Sequence, residues 1–124
     1  MRALQIEREG RTRLVTIEPA EPAPDEVLLR VRTVGFCGSD LNTYRGLNPL
    51  VSYPRIPGHE LAGTIERVGD AVPHDRFQSG TQVTVVPYTA CGRCTACRRG
   101  RPNACRDNQT LGVQREGALK APRH

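Results

Sequence analysis

Four of the chain's five cysteines fall within fifteen residues, in the stretch CGRCTACRRGRPNAC from Cys91 to Cys105. No other feature of the sequence restricts the fold so tightly. Cys91, Cys94, Cys97 and Cys105 have the spacing C-x2-C-x2-C-x7-C. Two-residue gaps let neighbouring thiolates turn onto one ion, and four thiolates make a closed tetrahedral shell. Gly92 and Gly100 permit the tight backbone path that such a shell needs. A closed shell leaves no position for a substrate, so the cluster reads as a structural zinc site and not as an active site. Three other readings stay open on the cysteines alone. Disulfides would suit an oxidising compartment. An iron–sulfur cluster would need a ferredoxin run, which spaces its last cysteine differently. A nucleic-acid zinc ribbon would carry two separated C-x2-C pairs.

The rest of the chain sets the background. A length of 124 residues fits one domain with a modest core. Hydrophobic residues make up 37% and aromatics 4%, so the core is expected to be thin and aliphatic, and a stabilising metal suits such a core. The N-terminal MRALQIEREGRT lacks the apolar region and cleavage site of a signal peptide. No apolar run approaches the roughly 20 residues that span a bilayer. The expected protein is therefore soluble, cytoplasmic and without a membrane partner. In that compartment clustered cysteines serve as metal ligands more often than as disulfides. The net charge of +5 comes from arginine, since Lys120 is the single lysine. Only Arg93, Arg98, Arg99, Arg101 and Arg106 cluster, all within the cysteine segment. A solvated basic surface is expected there, and nucleic acid is not the expected partner.

Along the chain the pattern is β. ALQIE and TRLVTIE alternate as the arms of a hairpin around Glu9 and Gly10. EPAEPAPDE follows as an extended, proline-rich surface connection. EVLLRVRTVGF reads as the clearest strand, with Val27, Leu29 and Val31 on one face and Arg30 and Arg32 on the other. GSDLNTYRG predicts a short helix, capped by Ser39 or Asp40 and ended by Gly46. LAGTIERVG and TQVTVVP predict two further strands. The cysteine segment has no periodicity and reads as a loop, one long enough to need a fastening.

The fifth cysteine is Cys37, in GFCGSD at the end of the strongest strand. His59 and Glu60, in PGHE, precede another. Taken singly, Cys37 is a buried thiol, His59 a turn residue and Glu60 a solvated carboxylate. Taken together, one thiolate, one imidazole and one carboxylate form the mixed donor set of a catalytic zinc with an open position.

In order and spacing, GFCGSDLNTYRG, PGHELAGTIERVG, VVPYTACGRCTACRRGRPNAC and LGVQREGA resemble the zinc-dependent medium-chain alcohol and polyol dehydrogenases. The resemblance runs from about Met1 to Ala118 and covers the N-terminal, GroES-like part of that family's catalytic domain. It implies a mainly β fold: a partly open barrel with short helices and a protruding four-cysteine zinc lobe at about residues 88–108. Residues 1–124 are then one truncated domain.

The resemblance also implies the roles of single residues. Cys37 and His59 match catalytic-zinc ligands, and Glu60 matches a glutamate beside that metal which coordinates it in some members. Ser39 matches the hydroxyl residue that touches the substrate oxygen and starts a proton relay. Asp40 matches the carboxylate that orients the ligating histidine. Cys91, Cys94, Cys97 and Cys105 match the structural-zinc ligands. The implied cofactors are one structural zinc and one catalytic zinc with an incomplete shell. NAD or NADP is expected only in the full-length enzyme, as are a small alcohol or polyol substrate and a homo-oligomeric state. The CGSD context tilts the substrate towards polyols and sugar alcohols.

Three departures qualify this. Asn42 stands where many members have a relay histidine, and an amide cannot pass on that proton. Thr81 replaces a usual aspartate. LKAPRH replaces the strand that follows in the family. No G-x-G-x-x-G lies between a strand and a helix, so no Rossmann nucleotide site is legible in this chain. The chain is expected to be inactive on its own, as the N-terminal fragment of such a dehydrogenase. The alternative is a free-standing zinc-binding interaction module without catalysis.

Overall fold

The computed structural model of the chain describes residues 1–121. Among the described residues, six strands form two three-stranded antiparallel sheets, which do not close into a barrel. The first sheet has the order β2-β1-β6 and the second β3-β4-β5. The strands are β1 (Arg2–Arg8), β2 (Arg11–Thr16), β3 (Val27–Gly35), β4 (Glu60–Val68), β5 (Gln82–Thr84) and β6 (Lys120–Ala121). Helix α1 (Gly38–Tyr44) follows β3, and a single helical turn, α2 (Thr95–Arg98), lies in the cysteine segment.

The hairpin forms where the alternation placed it: β1 and β2 pair from Arg2↔Thr16 to Arg8↔Arg11, with Glu9 and Gly10 as the turn. The proline-rich stretch has no regular structure, and an Arg67–Glu21 ion pair ties it to the end of β4. β4 is the central strand of its sheet and alternates cleanly, burying Leu61, Gly63 and Ile65. Each large aliphatic buried this way stabilises the fold by roughly 1.5–3 kcal/mol. The core is aliphatic as expected, built on Ala3, Ile6, Ile56, Leu61, Ile65, Val72, Val113 and Ala118.

β3 keeps Val27, Leu29 and Val31 half-buried and Arg30 and Arg32 exposed as expected, but breaks strict alternation at Leu28. Its register against β4 shifts between Leu28 and Leu29 and again between Val31 and Thr33. Such bulges re-aim side chains, and Val27, Leu28, Leu29 and Val31 are all half-buried. They line a groove of about 890 Å³ that borders both sheets and is closed elsewhere by Val85, Val86 and Leu111. TQVTVVP is a strand only as far as Thr84, and Val86 beyond it is 82% exposed.

Helix α1 begins two to three residues earlier than the expected caps. Cys37, not Ser39 or Asp40, is the N-cap residue, because Cys37 already has extended backbone (φ −90°, ψ 156°). Asp40 lies three residues into the helix and accepts the Cys37 amide at 3.0 Å, half of a capping box. At the other end Gly46 takes φ 74°, and the amides of Gly46 and Leu47 donate to Thr43 and Asn42. This paired termination needs a left-handed residue, and glycine adopts that conformation without strain.

The segment Arg55–Gly58 joins the two sheets. Arg55 exchanges backbone hydrogen bonds with Ile6 of β1 at 2.8 and 2.9 Å. Gly117, Ala118 and Leu119 donate in turn to Ile56, Gly58 and Pro57. The backbones touch there: a Cβ on Gly117 would stand 2.2 Å from the Pro57 carbonyl oxygen, and one on Gly112 would stand 2.8 Å from the Gly58 nitrogen. His59 follows directly on this clamped segment.

Candidate metal centres

Two antiparallel strand ends build the first centre. β3 ends at Gly35, which pairs directly with Glu60 at the start of β4. Cys37 lies two residues past one end and His59 one residue before the other, so both are delivered to the same edge. The donor atoms of Cys37, His59 and Glu60 all lie within 4.8 Å of one another. Cys37 and His59 are half-buried, and Glu60 is exposed.

Asp40 lies against this centre and is almost fully buried, at 2% exposure. Its Oδ2 accepts the Cys37 amide and its Oδ1 accepts the Gly58 amide at 3.3 Å. Oδ1 also faces His59 Nδ1 at 3.6 Å. That distance lets charges interact but is too long for a hydrogen bond, and Nδ1 is buried without a hydrogen-bond partner. A ring shift of a few tenths of an ångström would supply one. With Nδ1–H turned to a carboxylate, Nε2 keeps its lone pair free for a metal. The Ser39 hydroxyl is the neighbour of Nε2, at 3.5 Å. Helix α1 is pinned behind these residues: Thr43, 1% exposed, donates to the Ser39 carbonyl, and the Tyr53 hydroxyl donates to the Thr43 carbonyl.

The second centre is the cysteine lobe. Cys94 is the N-cap of α2, and Cys97 lies within that turn. A 3-10 turn over Pro102–Ala104 brings Cys105 back. The segment is thus two short turns and not a bare loop. The four sulfurs lie within 4.8 Å of one another, and Cys94 and Cys105 are buried. None of the five cysteines is in a disulfide. The Cys91 amide donates to Cys105 Sγ and the Cys94 amide to Cys91 Sγ, both at 3.3 Å. Thr89 and Asn108 close the neck: the Thr89 amide donates to Asn108 Oδ1, and the Gln109 amide to Thr89 Oγ1. All five lobe arginines are exposed.

Amides of Cys97 and Arg106 directed at its sulfur pull the Cys94 thiol down to about 6. Burial, with three other sulfurs at hand, pushes the Cys97 thiol up to about 12. Four thiolates cannot share so small a space unless a cation sits among them. Both donor sets fit zinc. Bonds of about 2.0–2.3 Å put the donors of a tetrahedral ion roughly 3.3–3.8 Å apart, inside the 4.8 Å that each cluster spans.

The structure brings together the candidate metal-binding and relay residues singled out in the sequence. Cys37, His59 and Glu60 converge with Ser39 and Asp40 beside them, and Cys91, Cys94, Cys97 and Cys105 converge in the lobe. Asn42 is exposed on α1, its carbonyl accepting the Leu47 amide. The LKAPRH segment does add a short strand, β6, on β1; its last residues lie outside those described. The sequence reasoning missed Gly35, Gly112 and Gly117, which carry no donor atoms and matter only through what lies against them. No helix among the described residues is long and apolar enough to cross a membrane.

The alcohol dehydrogenase GroES-like domain model matches residues 23–121. The chain belongs to this family. Among curated relatives of this GroES-like domain, the starvation-sensing protein RspB of Escherichia coli K12 is 40% identical over 119 residues, spanning 96% of this chain and 34% of the relative. The sorbitol dehydrogenase of Bacillus subtilis is 43% identical over 116 residues, spanning 91% and 32%. Among solved structures, galactitol-1-phosphate dehydrogenase from Escherichia coli superposes with a TM-score of 0.86 at 30% identity, over 97% of this chain and 34% of that one. The rspB alcohol dehydrogenase of Escherichia coli CFT073, solved with NADH, gives 0.85 at 39%, over 96% and 34%. The GroES-like chain therefore spans about a third of the length of the relatives it matches.

Proposed function

We propose that this GroES-like chain supplies the N-terminal part of the catalytic domain of a zinc-dependent, NAD(P)-linked dehydrogenase acting on alcohols, polyols or sugar alcohols. The observation that carries this reading is the convergence of Cys37, His59 and Glu60 from two strand ends, with Asp40 clamped beneath them. The names of the relatives, sorbitol dehydrogenase and galactitol-1-phosphate dehydrogenase, support polyol-type substrates. The NADH in the rspB structure supports a nicotinamide cofactor. The hydride-acceptor site is assigned to the part of the relatives that this chain does not span.

A zinc ion bound by Cys37 and His59 would act as a Lewis acid and lower the pKa of an alcohol hydroxyl held there. The chain's own residues prepare that step. Asp40 fixes the Cys37 backbone and orients His59. Ser39, next to His59 Nε2, would accept the proton that the substrate hydroxyl loses while passing its own hydroxyl proton on. Glu60 places a carboxylate at the same edge, as a ligand or as a balancing charge. Asn42 cannot carry the proton further, so the relay leaves Ser39 by another route. The four cysteines hold a second zinc that fastens the lobe and takes no part in the chemistry.

The test is native mass spectrometry of the protein from its own cells, followed by polyol oxidation with NAD and NADP. The whole protein is expected to carry two zinc ions per chain and to turn over. Cys37→Ser is expected to keep one zinc, keep the fold and lose turnover. A Cys37→Ser protein that retained both ions would overturn the assignment.

A further inference from the structure

We propose that Gly35 is a positioning residue for the Cys37/His59/Glu60 centre, because the missing side chain at Gly35 is the space in which the Glu60 carboxylate lies. The inference rests on reading this centre as a metal site. Gly35 and Glu60 are directly paired across β3 and β4. Opposed residues of an antiparallel pair direct their side chains to the same face, so Glu60 and any side chain at position 35 compete for one place. A Cβ built on Gly35 would stand 2.6 Å from Glu60 Oε2 and 3.0 Å from Glu60 Cβ. Both distances are inside van der Waals contact. The glutamate is therefore folded back over the glycine, although it is exposed and free to extend into solvent. Folded back, its carboxylate comes within 4.8 Å of the Cys37 and His59 donors.

The backbone at Gly35 does not itself demand glycine, since its φ is not positive. An alanine there changes the available space and little else. The nearest obstruction is the far end of a flexible side chain, which can swing out into water, while Glu60 Cβ at 3.0 Å asks the strand pair to give by a few tenths of an ångström. Gly63 differs: its Cβ would meet the Arg30 carbonyl oxygen at 2.5 Å, and a backbone cannot step aside. Gly35→Ala thus removes the third donor from the centre at the cost of a small local shift between the paired strands, not of the sheet.

The test is a Co²⁺ titration of the chain as wild type, Gly35→Ala, Glu60→Ala and the double variant. The intense absorption of Co²⁺ in the four-cysteine cluster serves as a fold control in each. Gly35→Ala is expected to weaken Co²⁺ at the Cys37/His59 site on the order of 10- to 100-fold, the usual effect of disturbing residues that support a metal's ligands. Glu60→Ala is expected to do the same, and adding Gly35→Ala to it to cost nothing more. If Gly35→Ala alone fails to fold while the double variant folds, the space at Gly35 still belongs to Glu60 and the proposal stands. Wild-type affinity in Gly35→Ala would overturn it. So would an equal loss in the Glu60→Ala background, or unfolding of both Gly35 variants. A wild-type chain that takes up Co²⁺ at the four cysteines alone would overturn the metal-centre reading, and the proposal with it.

Discussion

The Asp40 carboxylate accepts the Cys37 amide on one oxygen and the Gly58 amide on the other, from a position that water does not reach. Asp40→Ala leaves both amides bare, at a cost of roughly 1–3 kcal/mol each. The expected result is a lower urea midpoint together with a weaker Cys37/His59 metal site. A variant with a lower midpoint but unchanged Co²⁺ affinity there would limit Asp40 to a fold role. The sequence pointed to Asp40 as the partner of His59. Its second task, holding Cys37, was hidden because that task depends on the helix starting at Cys37 and not two or three residues later. The lobe thiols carry a pH prediction. With Cys94 held down to about 6 and Cys97 up to about 12, the metal-free cluster binds a proton at Cys97 throughout the neutral range. Metal binding must expel that proton, and below about pH 6 the Cys94 proton as well. Zinc affinity of the lobe, measured against a competing chromophoric chelator, is therefore expected to rise with pH and to fall more steeply once the pH drops below about 6. A flat profile from pH 5 to 8 would contradict it.

At the scale of single elements, α1 and the cysteine lobe behave differently. Helix α1 is locked at its end by Gly46 and docked on the β1–β2 hairpin, where Tyr44 Oη donates to the Gly10 carbonyl and the Gly10 amide to the Tyr44 carbonyl. Gly46→Ala forces a left-handed alanine and pushes a Cβ to 2.8 Å from the Glu9 carboxyl carbon. A loss of about 1 kcal/mol is expected in denaturant unfolding. The lobe instead hangs from its neck at Thr89 and Asn108, and no strand of either sheet runs through it. Metal removal, or Cys94→Ser, is expected to speed amide exchange between the neck residues while β3 and β4 stay protected. Equal loss of protection in the sheets would show that the lobe is part of the core. The convergence of the lobe's four cysteines was legible because metal geometry is written in spacing. Its two helical turns were not, since each is a single turn set by the cysteines it presents and has no apolar face to leave a period.

Over the whole molecule, hairpin, helix and central strand follow from alternation and turn residues, as the sequence indicated. The β3 bulges and the early end of β5 do not, because the groove beside them is a product of tertiary packing. Val27, Leu28, Leu29, Val31 and Val85 leave an apolar surface there that the described residues do not fill. Native chain is expected to bind a hydrophobic dye such as ANS at this groove, and Leu29→Glu is expected to reduce that fluorescence without removing zinc from the lobe. The backbone crossing behind His59 has its own consequence. Gly112 and Gly117 lie more than fifty residues further along the chain, yet neither leaves room for even a methyl group beside Pro57 and Gly58. In a library of all single substitutions selected for metal uptake, these two glycines would tolerate as little as the candidate metal ligands do. A map of intolerance alone would then draw a metal centre with two members that never touch the metal.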